Sequence, residues 1–107
     1  MIYKFKSKAS GDIIMMGPTG DALLRAIGRE PSPQGIIEPA AMPAAMAAIE
    51  QAVLADEAAR AEAEKEAAAR GERLAPREGV ALRQRLWPML DMLKRAGAAG
   101  EPVVWGV

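Results

Sequence analysis

Residues 2–6, IYKFK, alternate in character, with Tyr3 and Phe5 on one side and Ile2, Lys4 and Lys6 on the other. A period of two is that of a half-buried β-strand. A second strand is predicted over residues 12–16, DIIMM. The SKASG between them is rich in turn formers and has the length of a hairpin loop. The chain is therefore expected to open with an antiparallel hairpin.

The period then changes. In residues 20–28, GDALLRAIG, Leu23, Leu24 and Ile27 form one apolar stripe that stops at Gly28, a suitable C-terminal cap for a short helix. The following REPSPQG is too rich in proline and glycine to continue it, and GIIEP, residues 35–39, reads as a brief third strand or an extended connection. From Met42 the apolar positions Met42, Met46, Ile49 and Val53 recur at intervals of a helical face. Between Ala55 and Gly79, Leu74 is the only large apolar residue, and alanine and charged residues make up most of the rest. Asp56 with Arg60 and Glu66 with Arg70 place an acid four residues before a base, which supports helix by about 0.3 kcal/mol per pair. The pattern predicts a long helix whose first half lies in the core and whose second half, within a charged arm at about 55–78, projects into solvent and ends at Gly71 and Pro76. A further helix over 79–97 carries Leu82, Leu86, Met89, Leu90 and Leu93 on one side and is expected to be interrupted and kinked by Pro88 near 85–87. The closing VVWGV is β-branched and aromatic, as a last strand returning to the sheet would be.

These elements predict a single α+β domain over residues 1–107. A small antiparallel sheet, made of the N-terminal hairpin and the C-terminal strand, packs with one short helix and a long antiparallel helical hairpin. Composition sets the size of its core. Of the hydrophobic half of the chain, 23 residues are alanine and only 31 are large, enough for one small core without surplus.

Fourteen basic and fourteen acidic residues cancel, which argues against a general attraction to nucleic acid or an anionic membrane. With no cysteine and no histidine, the chain lacks thiolate chemistry, the commonest general base and the usual zinc ligands. Met1 leads straight into IYKFK with no apolar leader, and no run approaches the roughly 18 apolar residues of a membrane span, so the cytoplasm is the expected location.

Candidate chemistry is sparse. The stretch IIMMGPTGDALL, residues 13–24, has the order strand, glycine-rich turn, helix that begins a phosphate loop. Counted from Gly17, however, the positions that need Gly, Lys and Ser or Thr hold Ala22, Leu23 and Leu24. GPTG is therefore read as a turn, set by Pro18 and relaxed by Gly20, with Thr19 or Asp21 capping the helix. Lys4, Lys6 and Lys8 beside Tyr3 and Phe5 could make a basic strip with aromatic platforms for single-stranded nucleic acid. Alternation turns the aromatics away from Lys4 and Lys6, so the preferred reading is an edge strand that its lysines keep from aggregating. Asp56, Glu57, Glu62, Glu64 and Glu66 alternate with arginine and lysine, the pattern of a solvated helix rather than of a converging metal shell. Trp87 and Trp105 could line a ligand pocket or an interface, or fill the core. The methionines Met15, Met16, Met42, Met46, Met89 and Met92 are expected in the core.

The opening MIYKFKSKA, the central PSPQGII of residues 31–37 with the following Met42-Pro43-Ala44-Ala45, and the closing PVVWGV together resemble an uncharacterised family of small bacterial proteins, classed as a domain of unknown function. The resemblance implies a bacterial cytoplasmic protein standing alone as one domain, and carries no activity, cofactor or catalytic residue. The function expected is that of a non-catalytic interaction protein that self-associates or binds a protein partner. The alanine-rich arm, at Ala61 and Ala68, offers one place where helices could approach closely. The alternative is a small-molecule module with a pocket near Trp87 and Trp105. An enzyme using only Asp, Glu, Lys and Arg comes last, and no cofactor is expected.

Overall fold

The computed structural model describes residues 2–75 and 81–107. Strands β1 (Ile2–Ser7) and β2 (Ser10–Met16) form the N-terminal hairpin, followed by α1 (Gly17–Ala26) and β3 (Gly35–Ile37). A single 3-10 turn at Pro39–Ala41 leads into α2 (Met42–Ala69), then α3 (Leu82–Ala99) and β4 (Val103–Trp105). All pairings are antiparallel, in the order β2-β1-β4-β3. The α+β class, the opening hairpin and the returning C-terminal strand are as expected, and GII forms the third strand in sequence, at one edge. The positions expected for Pro76 and for residues 76–78 of the arm, and the expected helix start at 79, fall outside the described residues.

The hairpin is tighter than the five-residue loop expected. Ser7 pairs with Ser10, leaving Lys8 and Ala9 as the turn, with the Ala9 amide donating to Ser7 Oγ at 3.2 Å. Neither turn residue has a positive φ, so the turn is not of the primed type that matches strand twist, and a register shift between Phe5 and Ser7 accommodates it.

Strand β2 passes into α1 without a turn. GPTG forms the first turn of the helix itself: Met16 is the extended residue before it, and Pro18 sits where its missing N–H has no helical partner to lose. No side chain caps this end, contrary to the role expected of Thr19 or Asp21. Gly20 is needed for space. A Cβ there would lie 2.1 Å from Cδ2 of Tyr3, so the ring packs directly on the helix backbone. Asp21 instead accepts a hydrogen bond from the Tyr3 hydroxyl. Gly28 does end the helix as expected: its φ is 83°, and the Arg29 amide reaches back to the Leu24 carbonyl at 2.8 Å.

One core joins the sheet to the helices. Tyr3, Phe5, Met15, Ile37, Val103 and Trp105 supply the sheet side, while Leu23, Leu24, Met42, Ile49, Val53, Leu86, Met89, Met92, Leu93 and Ala96 supply the helix side. Phe5 links the aromatics, with ring centroids 5.9 Å from Tyr3 and 5.6 Å from Trp105. Met46, Leu82 and Leu90 are half-buried at its margin. Helix α3 runs through Pro88 unbroken, so the expected interruption does not occur.

The first half of α2 lies in this core and the rest leaves it. At 28 residues the helix is about 42 Å long, and the chain measures 51 × 26 × 23 Å. The radius of gyration of 15.8 Å exceeds the roughly 13 Å of a compact domain of this length. The arm is not bare, however. After Gly71 the chain turns back along it: the Arg60 guanidinium donates to the Ala75 carbonyl at 2.7 Å and to Glu64 at 3.2 Å, and Ala67 is buried. Arg70 pairs with Glu72, and Arg83 of α3 makes a two-pronged contact with Glu57, which holds its guanidinium above the usual range.

Candidate functional site

All three helices lie on one side of the sheet. The other side of the sheet carries no element of the chain among the described residues. Alternation along β1 turns Ile2, Lys4 and Lys6 to that side, and on β2 it turns out Asp12, Ile14 and Met16. Val104 and Ile36, paired across β4 and β3, continue the row. Ile2 is 61% exposed, Ile14 66% and Met16 65%. Since Ile2 faces Met16 across the hairpin and Ile14 is next on the same side of β2, the three make one apolar patch.

Lysines border the patch. Lys4 lies opposite Ile14 and reaches Asp12 at 3.6 Å. Lys6, opposite Val104, donates to the Val107 carbonyl at 3.4 Å. Lys6, Ser7, Lys8, Glu101, Pro102 and Val104 line a groove of about 420 Å³ at this end. The lysines of the expected basic strip, Lys4, Lys6 and Lys8, thus lie beside aliphatic side chains. Tyr3 and Phe5 are buried on the opposite side, so no aromatic platform for a nucleic acid accompanies it. The edge-strand reading is corrected: β1 lies between β2 and β4, and its lysines guard no edge.

The tryptophans have different surroundings with no residue in common. Trp105, 2% exposed, packs on Phe5 and donates through Nε1 to the Ser32 carbonyl at 3.0 Å. The Arg29 guanidinium lies 5.9 Å from its ring centroid. A Cβ on Gly35 would come within 2.2 Å of the same indole. Trp87, 60% exposed on α3, borders a groove with Met46, Glu50, Arg83, Leu90, Asp91 and Lys94. Ala61 and Ala68 are both exposed on α2, Ala68 beside Leu74 of the returning segment. Of the methionines, Met15, Met42, Met89 and Met92 are buried and Met46 is half-buried, but Met16 faces out because Met15 takes the inner position of β2.

The patch centred on Ile14 and Met16 was not singled out from the sequence. Its signal was present in DIIMM, a strand apolar at four successive positions. Such strands belong to sheets buried on both faces, whereas a strand with one wet face alternates.

The arrangement is a two-layer α+β fold whose described helices leave one face of the sheet uncovered and partly apolar. The family model for a domain of unknown function, DUF1840, matches residues 1–105, and the chain belongs to that family. No curated protein and no solved structure matched the chain. Among the described residues, no helix is long and apolar enough to cross a membrane.

Proposed function

We propose that this is a non-catalytic interaction protein whose working surface is the uncovered face of the sheet. The observation that carries this reading is the exposed cluster of Ile2, Ile14 and Met16, the last two on a strand, β2, whose sequence is apolar on both sides. Contiguous exposed apolar surface with a polar border is what protein-binding sites offer. The bordering Lys4, Lys6 and Lys8 favour a partner surface that brings carboxylates around its own apolar centre. The lack of histidine and cysteine is in keeping with binding rather than turnover.

Native mass spectrometry of gently purified protein tests the reading. The expected result is an assembly heavier than the 11.3 kDa chain that is lost when Ile14 and Ile36 are both replaced by Asp, with circular dichroism unchanged. A discrete, small and exchangeable added mass that survives the double substitution would instead indicate a small-molecule module and refute the sheet-face reading.

A further inference from the structure

The two edges of the sheet are built differently. At one edge, β3 is three residues long and flanked by Pro31, Pro33 and Pro39, features that keep a sheet edge from pairing with another chain. At the other, β2 is seven residues long, SGDIIMM, with no proline and no lysine. Its one charge, Asp12, is drawn to Lys4 on the neighbouring strand. Strand β2 pairs with β1 on one side only, leaving the outward row of amides and carbonyls without a strand partner among the described residues. The most exposed apolar residues of the sheet gather at this unprotected edge: Ile14 and Met16 on β2 itself, and Ile2 directly opposite Met16.

We infer that a second copy of this chain pairs with β2, antiparallel and about a two-fold axis, so that two four-stranded sheets become one of eight strands. The inference goes beyond the sheet-face reading above: it concerns the β2 edge that borders that face, and it leaves the face itself open. An antiparallel strand meeting its own copy across a two-fold is self-complementary, each copy offering the same row of donors and acceptors. In that pairing Ile14 and Met16 gain cross-strand neighbours from the partner, and the two apolar patches merge across the seam. Charge favours this over stacking the two open faces. Stacking would bring Lys4 and Lys6 of each copy toward those of the other and strip them of water, whereas edge pairing leaves all of them solvated.

Sedimentation equilibrium of the full chain over a hundredfold range of concentration, with hydrogen exchange of residues 10–16 at both ends of the range, tests the pairing. The expected outcome is a species of twice the 11.3 kDa chain mass. Amides of β2 should exchange at least tenfold more slowly where it predominates, and β3 should be unaffected. Ile14→Lys, and separately Met16→Lys should the first lose its fold, should weaken dimerisation at least tenfold while leaving circular dichroism unchanged. A monomer at every concentration overturns the inference and leaves the sheet face to a different protein partner. A dimer whose β2 amides exchange as fast as in the monomer overturns edge pairing. A dimer indifferent to both lysine substitutions overturns the inference and likewise leaves the sheet face to a different protein partner.

Discussion

Glycine at position 20 shows how much a single residue decides here. Alanine would improve the propensity of a helix interior by about 1 kcal/mol, yet its methyl would enter the Tyr3 ring at 2.1 Å. Packing wins because the ring is held between helix and core, and overpacking costs about 1–3 kcal/mol. Gly20→Ala is therefore expected to lower stability in a urea titration. Tyr3 also makes stability depend on pH. Its hydrogen bond to Asp21, and then burial, raise the hydroxyl above its ordinary pKa of 10.0, with the Asp21 charge adding to this and Arg25 opposing it. A raised pKa means the neutral phenol is favoured in the folded state. The stabilisation is full below pH 10.0 and is lost as pH rises through the folded-state value. Tyr3→Phe should cost about 1 kcal/mol at neutral pH and flatten the alkaline limb of the stability curve. An unchanged alkaline limb would assign it to other groups.

Helices α2 and α3 depart from propensity in opposite ways. Helix α3 carries Pro88 in its interior, where proline removes a backbone donor and costs about 3 kcal/mol against alanine. Pro88 is exposed, so little packing offsets this. Pro88→Ala should raise the thermal midpoint, and a fall would mean that a bend at proline is needed for the α2–α3 contact. Helix α2 has the propensity but lacks tertiary cover along much of its far half. Amides of 58–66 should exchange faster than those of 46–53, since exchange follows local burial. Replacing Ala61 and Ala68 together by Glu is expected to leave both helix content and assembly mass unchanged. A loss of mass would move the interface from the sheet to the arm.

Chain ends that are far apart in sequence form the middle of the molecule. Strand β4 lies between β1 and β3, and Trp105 joins Phe5 and Gly35. Removing residues 102–107 would leave β3 with no neighbour and open the core at Val103 and Trp105. The truncated chain should lose near-ultraviolet circular dichroism and a cooperative unfolding transition. The same topology explains the surface. With every described helix on one side, a sheet whose strand β2 is apolar on both sides is left half covered, and the exposed patch follows from the connections between elements rather than from any motif.

The sequence by itself determined the type of nearly every element, because period is a local property: IYKFK alternates as a strand, Met42 to Val53 recurs as a helix, and VVW can hardly be anything but extended. It also determined which activities lack their residues, since no fold supplies a histidine or cysteine that is absent. Tertiary structure alone decided the neighbours. It made GPTG a helix turn because Tyr3 packs on Gly20, buried Trp105 while leaving Trp87 in solvent, put β1 inside the sheet rather than at its edge, and turned Ile14 and Met16 outward. Burial and strand order arise from contacts between residues as far apart as Phe5 and Trp105, and a local pattern carries no record of which distant face will cover it.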